Sequence, residues 1–373
     1  MKIGIMTLYY DNQNIGGLLQ AYALQKCISS MGYNAELISY NMQSGFSNKY
    51  SHMKYKYKKK LRELYPGFRF FNSRFGKSVK KFELSIPHSR YVESNGLSLL
   101  NEEYDAFICG SDQIWNPIGW QPNFFLTFSK KPKISYAPSI SRDFLTRDEL
   151  LFIDRYTKDF IGLSVREKNA AELLTEKLGR KFKLVPDPTL LLTKEEWEQK
   201  FSTDAIVRKP YVFAYFLGFD EQQRIECISF AKKRGLDIYF VPYMNKESFK
   251  WERKNKNICT NNYSVENFIS LIKCAELVLT DSFHGTVLSC IFETPFYVLN
   301  RKLAGNEKSM NSRIETLFFE LSIPCSRMIK SLNEIGEYDF LVEEKKTIND
   351  SKDVWRNIGI NYLTENLVKI KHE

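Results

Sequence analysis

Residues 1–40, MKIGIMTLYYDNQNIGGLLQAYALQKCISSMGYNAELISY, decide how this chain folds. Met1, Lys2, Ile3, Gly4 and Ile5 read directly into an apolar strand, Ile3 to Leu8, and a polar glycine loop follows from Asp11 to Gly17. Leu18, Ala21, Tyr22, Leu24, Gln25 and Ile28 then recur at a 3.6-residue period, the mark of a helix with a buried face. Gly32 stops that helix, because glycine enters the left-handed region at a C-terminus without a Cβ penalty. Ala35 to Tyr40 supplies a second strand. A strand, a helix and a strand in this order predict a parallel sheet.

The same alternation continues outward. Short strands are expected at Ala106–Cys109, Lys133–Ala137, Ile161–Val165 and Phe182–Val185. A second run begins after Lys209 and Pro210. It has strands at Tyr211–Leu217, Ile238–Pro242, Leu277–Thr280 and Phe296–Leu299, and helices at Glu221–Arg234, Val265–Cys274 and from His284. A last helix over Val354–Ile370 carries Ile358, Ile360, Leu363, Leu367 and Ile370. The fold class is therefore α/β, two Rossmann-like domains facing a central cleft, with the C-terminal helix returning to the first. The domains are expected at 1–205, with an insertion at about 42–90, and at 206–350, followed by the helix at 351–373. Sheets of this kind bind ligands beyond the carboxyl ends of their strands.

A length of 373 residues suits two domains. Hydrophobic residues at 43% and charged residues at 26% exclude a disordered, collagenous or coiled-coil chain. The net charge of +10 is local: between Asn48 and Lys81 twelve Lys and Arg face one acid, Glu63, and the remainder is close to neutral. The basic stretch 49–81 reads as a solvated helical insertion, as a surface for anionic lipid headgroups, or as a nucleic-acid surface. No recognised nucleic-acid motif accompanies it, so of the two binding readings the membrane is favoured. Seven cysteines are scattered without a CxxC pair, no leader or spanning apolar run is seen, and a reducing cytoplasm is expected. The four histidines stand far apart, so no metal and no cofactor is expected.

Five segments at strand ends carry the candidate chemistry. Asn14, Gly16 and Gly17 form either an amide-lined approach for a ligand or a plain tight turn. Ser111, Asp112, Gln113 and Trp115 crowd a second strand end; a carboxylate beside an indole suits a sugar, and a capped helix start with a core tryptophan is the other reading. Ser135 to Ser139 (SYAPS) is a third such end. Arg166 follows the strand Leu163–Val165 and either clamps an anion bidentately or pairs with Glu167 or another acid. In Asp281–Thr286 (DSFHGT) an apolar strand breaks into an Asp-Ser cap and His284 enters the first helical turn. There it is either structural or able to hold an anion and carry a proton. Asn300, Arg301 and Lys302 follow the next strand, bringing two cations to the same end of the sheet.

Asn14–Leu24 (NIGGLLQAYAL), Gly110–Asn116 (GSDQIWN), Ser135–Ser139, Ser164–Glu167 (SVRE), Asp187–Leu190 (DPTL) and Asp281–Gly285 (DSFHG) together resemble the polysaccharide pyruvyl transferase family. The resemblance runs from about residue 3 to 320. It implies a GT-B-like fold and transfer of pyruvate from phosphoenolpyruvate onto two hydroxyls of a sugar, giving a cyclic ketal of a bacterial cell-surface polysaccharide or its precursor. It implies that His284 and Arg166 bind the donor, and the chemistry of the transfer completes a catalytic set of His284, Arg166 and Asp112: His284 would protonate the donor, and Asp112, in a strand-end loop of the other domain, is the candidate base for the acceptor hydroxyl. Ser282, Gly285, Thr286, Arg301 and Lys302 fall to donor binding; Asn14, Gly16, Gly17, Ser111, Gln113 and Trp115 fall to acceptor binding. Phosphoenolpyruvate is then a co-substrate, no cofactor is needed, and a lipid-linked acceptor would suit the basic stretch 49–81 at the inner membrane face. Asp281 either orients His284 or caps the helix, and the cap is favoured. A GT-B glycosyltransferase with a nucleotide-sugar donor and a non-catalytic binding protein are the alternatives; the first predicts a carboxylate for ribose hydroxyls in the second domain, the second no loss on His284→Ala.

Overall fold

The computed structural model describes residues 1–11, 14–42, 66–117, 120–201, 206–241, 250–251, 254–255, 258, 264–299, 312–336 and 342–372, without the side chains of 66–75 and 372. The insertion expected at 42–90 therefore lies outside the described residues over 43–65. The chain divides into two compact units, one of residues 1–61, 80–192 and 354–373, the other of 62–79 and 193–353.

In the first unit β1 (Lys2–Met6) is paired in parallel with β2 (Asn34–Leu37) on one side and β3 (Ala106–Cys109) on the other, with β4 (Lys133–Ser135) outside β3. Ile3 faces Ala35 and Ala106 in register. Ile3, Ile5, Phe107 and Ile108 are all inaccessible to water, as expected of strands covered on both faces. The crossover α1 (Ile15–Ser30) is buried over most of its length, and Gly32 at φ +88° ends it as expected from the sequence. The short pair β5 (Ser164–Val165) and β6 (Lys183–Leu184) extends the sheet beyond β4, because Ile161 N donates to Lys133 O and Ser135 N to Gly162 O. The helix α2 (Pro66–Ser85) divides between the units, its residues from 80 onward belonging to this one, and α3 (Arg147–Thr157) and α4 (Lys168–Leu178) lie wholly within it.

The second unit opens with α5 (Lys194–Lys200). Its sheet has five parallel strands in the order β11 (Met328–Ile329), β10 (Phe296–Leu299), β9 (Leu277–Thr280), β7 (Tyr211–Tyr215) and β8 (Asp237–Phe240). The helices α6 (Glu221–Lys233), α7 (Val265–Lys273), α8 (Phe283–Phe292) and α9 (Ser312–Glu320) connect these strands. The last helix, α10 (Val342–His372), starts earlier than the sequence suggests. Its second half completes the first unit: Leu363 and Leu367 are wholly buried, Tyr362 Oη donates to Ser135 O at 2.8 Å and Arg356 Nε to Leu191 O at 2.9 Å.

Strand order locates the candidate sites. In the first sheet the chain leaves β1 for β2 and returns across to β3, so the connections diverge between β1 and β3. In the second they diverge between β7 and β9. The crevice at the carboxyl ends of such neighbours is where open α/β sheets take their ligands.

Candidate functional site

At the first divergence the loops after β1 and β3 meet. Asn14 Nδ2 donates to Asp112 Oδ2 at 3.5 Å, and a Cβ on Gly17 would stand 3.0 Å from that same oxygen and from Leu8 O. Gly17 is thus the residue that lets helix α1 start against the aspartate. Gly16 is buried in the same first turn. Asp112 is 5% exposed with φ +60°, and Ala137 at +53° and Ser141 at +56° adopt the same left-handed conformation after β4. Non-glycine residues of this kind cost energy and concentrate at functional sites.

Several buried polar residues hold these loops in place. Ser111 donates its amide to Gln20 Oε1 at 3.0 Å and its hydroxyl to Ala137 O at 2.6 Å, and its carbonyl accepts from Thr7 Oγ1 at 3.1 Å. Gln20 Nε2 also donates to Thr7 Oγ1 and Gly17 O. Gln113 receives its order from Asp112 Oδ1, which accepts the Gln113 amide at 2.9 Å. Gln20 was not singled out from the sequence, although a glutamine amid Leu18, Leu19, Ala21 and Tyr22 is a legible signal of a buried amide. Glu83 of α2 was missed as well: its carboxylate pairs with Lys80 and accepts the Asp11 amide at 3.1 Å. Burial pushes that carboxyl above its usual range, against the pull of Lys80.

Trp115 does not offer its ring to a sugar. It is wholly buried, stacked on Phe125 with centroids 5.0 Å apart and edge-on to Phe160, so its faces are occupied by core aromatics. The core reading of that residue is the one the structure supports.

Arg166 directly follows β5 at 3% exposure and pairs with Asp187, not with its neighbour Glu167. Asp187 Oδ1 in turn accepts from Thr189 N at 3.0 Å and Thr189 Oγ1 at 2.6 Å. Glu167 points to the loop after β4, where its carboxylate accepts from Ser139 Oγ and from Ile140 N. Burial works to lower the Arg166 pKa, but Asp187, then Glu167 and Asp112, outweigh it and raise the pKa above its usual value. Arg166 and Asp112 therefore share one electrostatic environment.

In the second unit β9 runs into α8 through Thr280, Asp281 and Ser282. Ser282 is the N-cap, its hydroxyl accepting from Gly285 N at 3.3 Å. Asp281, expected as the cap, instead accepts the amides of Leu217 at 2.7 Å and Gly218 at 2.8 Å, tying the loop after β7 to the end of β9. His284 lies in the first turn of α8 at 9% exposure, its ring edge-on to Phe283 at 5.3 Å. The first amides of a helix have no intrahelical acceptor and carry the positive end of its dipole, so an anion is favoured there. A Cβ on Gly285 would stand 2.7 Å from Thr280 Oγ1, so only glycine lets α8 sit this close to β9. Thr286 is buried, its hydroxyl donating to Ser282 O at 3.0 Å. Arg301 and Lys302 lie outside the described residues. Among the described residues no group of three or more His, Cys, Asp or Glu is arranged to hold a metal ion.

The model of the polysaccharide pyruvyl transferase family matches residues 14–302, more than three quarters of the chain, and spans both strand-end sets. The chain belongs to the polysaccharide pyruvyl transferase family. It is accordingly a member of a transferase family. No curated protein matches its sequence. Among solved structures, a protein described as a UDP-N-acetylglucosamine 2-epimerase from Listeria monocytogenes is 11% identical with a TM-score of 0.52, covering 96% of this chain and 90% of its own. That likeness shows the fold, the two-domain GT-B class. The UDP-GlcNAc 2-epimerase of Methanocaldococcus jannaschii is 13% identical with a TM-score of 0.49, over 96% of this chain and 93% of that one. Anabaena HepE, solved with UDP and glucose, is 9% identical with a TM-score of 0.47, over the full length of both chains. Among the described residues no helix is long and apolar enough to cross a membrane.

Proposed function

We propose that this member of the family transfers the enolpyruvyl group of phosphoenolpyruvate onto two hydroxyls of a sugar in a bacterial cell-surface polysaccharide or its precursor. The observation that carries the reading is the family match over residues 14–302 with His284 in the first turn of α8 at the carboxyl end of β9. The donor's methylene carbon gains a proton and becomes a methyl group. One sugar oxygen then bonds to the adjacent carbon, a second displaces phosphate there, and the ring closes. The two hydroxyl protons balance the methyl proton and the proton taken up by phosphate, so no oxidant, metal or resident cofactor is required.

In this scheme His284 delivers the proton, and the cap Ser282, the first-turn amides of α8, Arg301 and Lys302 meet the donor's anionic groups. Asp112 accepts the proton of the attacking hydroxyl, with Asn14 and Gln113 beside it to orient the sugar. Arg166, held charged by its carboxylate neighbours, supplies positive charge at the first unit's strand ends. A lipid-linked acceptor is the form we favour, drawn to an anionic inner membrane face through the basic stretch 49–81.

The test is phosphate release from phosphoenolpyruvate by the purified chain across nucleotide-linked and lipid-linked sugars, with a mass gain sought on each sugar. Release that depends on the acceptor and collapses in His284→Ala and Asp112→Asn supports the reading. Binding of phosphoenolpyruvate without release means the panel lacks the acceptor. No binding, or sugar transfer from a nucleotide sugar, overturns it.

A further inference from the structure

Resting on that reading for its acceptor, we propose that Tyr91 is the platform of a second saccharide subsite, its ring stacking on the sugar unit next to the one that receives pyruvate. The acceptor is then an oligosaccharide and not a single sugar. Trp115 is closed to this role by its aromatic neighbours, whereas Tyr91 is 49% exposed. A sugar ring has apolar C–H faces and a rim of hydroxyls, so its site needs an open aromatic face with polar groups at the edge.

Topology places the ring. The segment 88–92 runs parallel to the end of β2 and beyond it, since Ser89 N donates to Leu37 O at 2.8 Å, Val92 N to Ser39 O at 3.0 Å and Asn41 N to Val92 O at 3.0 Å. Successive side chains of an extended segment leave on opposite sides. Val92 goes inward, at 2% exposure, and Tyr91 goes outward. The ring thereby stands past the carboxyl end of β2. Tyr10, past the carboxyl end of β1, meets it with centroids 5.7 Å apart. Tyr10 belongs to the loop that carries Asn14 to Asp112, and four residues of chain span at most about 14 Å. Platform and proposed base therefore share one edge of the first sheet.

The loop beside the ring is held from beneath. Glu83 of α2, 2% exposed, pairs with Lys80 and accepts the Asp11 amide at 3.1 Å, and the Lys80 ammonium lies 4.6 Å from the centroid of the Tyr10 ring. Burying a carboxylate to hold an exposed loop costs stability, and a binding surface formed in advance is what offsets it. The Tyr91 hydroxyl accepts from Asn41 Nδ2 at 2.8 Å and donates to Glu93 Oε1 at 2.9 Å, so the ring is oriented before a ligand arrives. The amide and the carboxylate at its edge offer a donor and an acceptor to sugar hydroxyls. Glu93 also favours a sugar over an anionic lipid headgroup, which its charge would repel.

An array of bacterial surface oligosaccharides, printed beside their constituent monosaccharides, tests this on the full chain, and titration calorimetry then measures affinity for the strongest oligosaccharide. Tyr91→Ala removes an exposed ring, so the variant should keep the wild-type melting temperature. It should bind that oligosaccharide about tenfold more weakly, and Tyr91→Phe, which keeps the ring, within about threefold of wild type. A wild-type chain that binds nothing on the array, or binds monosaccharides as tightly as oligosaccharides, overturns the inference. So does Tyr91→Ala with affinity within about twofold of wild type. Tyr91→Phe as weak as Tyr91→Ala overturns the stacked ring, and a Tyr91→Ala loss seen on phosphatidylglycerol vesicles but not on the sugar gives the ring to a membrane. The donor reading fails separately: a chain that takes the oligosaccharide through Tyr91 and does not bind phosphoenolpyruvate keeps this subsite and loses that reaction.

Discussion

Arg166 directly after β5 and Asp187 ahead of the turn Pro188–Leu191 form an ion pair from which water is excluded, the two side chains being 2% and 0% exposed. Pairs of this kind gain little over an apolar replacement, but breaking one leaves a charge stranded. Asp187→Ala should therefore destabilise the first unit by about 3 kcal/mol, read from urea unfolding. Asp187→Asn keeps an acceptor for Thr189 and should cost less. A variant as stable as wild type would show that Glu167 and Asp112 neutralise the guanidinium without Asp187.

Asp281 reaches across the divergence of the second sheet to the amides of Leu217 and Gly218. Asp281→Ala removes the acceptor for both, at about 2 kcal/mol by the usual penalty for unpaired buried amides. Amide exchange at Leu217 and Gly218 should speed up more than exchange within β7. Equal protection in variant and wild type would mean the loop is held by other contacts.

Gly285 and Thr280 form a steric pair, since a Cβ on the glycine would lie 2.7 Å from the threonine hydroxyl oxygen. Gly285→Ala should cost about 2 kcal/mol through overpacking. Thr280 Oγ1 also donates to Tyr215 O at 2.6 Å, so Thr280→Ala has its own cost. In the double variant the clash is relieved, and the two costs should sum to more than the measured loss. Strict additivity would show that the close approach is not what selects glycine.

The apolar runs Leu277–Thr280 and Phe296–Leu299 were legible as strands because both faces are covered and every residue is apolar or small. The polar ties were not legible, because their partners are distant in sequence. Arg166 has Glu167 beside it, yet successive residues leave a strand on opposite sides, and the cation found Asp187 twenty-one residues on. Asp281 reads as a cap from its neighbours, and only the fold brings Leu217 to it. Trp115 beside Asp112 suggests a sugar platform, whereas Phe125 and Phe160, which take up its faces, become neighbours only when the loop closes. The sequence located strand ends and their chemistry types, and the partners that fix each side chain came from tertiary packing.

The second half of α10 is a structural part of the first unit. Leu363 is wholly buried there, and Leu363→Ala should cost about 3 kcal/mol through the cavity it leaves. Removing residues 354–373 would uncover Tyr136 as well as Ser135 O, which accepts from Tyr362. The truncated chain should lose the cooperative unfolding of its first unit, seen by calorimetry. A truncated chain with the wild-type melting profile would show that the helix only rests on that unit.

Glu293 ends α8 in the left-handed region, at φ +59°, and gathers Lys194 at 3.2 Å, Lys345 at 2.8 Å and Asn349 at 3.0 Å. Burial pushes its carboxyl up, but the hydrogen bonds and charges of Lys345 and Lys194 prevail and bring its pKa down to about 2. A carboxyl whose folded value lies below its unfolded one stabilises the fold above the unfolded value and loses that stabilisation as pH falls toward the folded one. Wild type should therefore exceed Glu293→Gln in stability at neutral pH. The difference should shrink steadily between about pH 4.5 and pH 2. Salt should diminish it too, because the cluster is partly exposed and screened. Denaturant titrations of both proteins across that range check the sign, and a difference that grows on acidification would contradict the assignment.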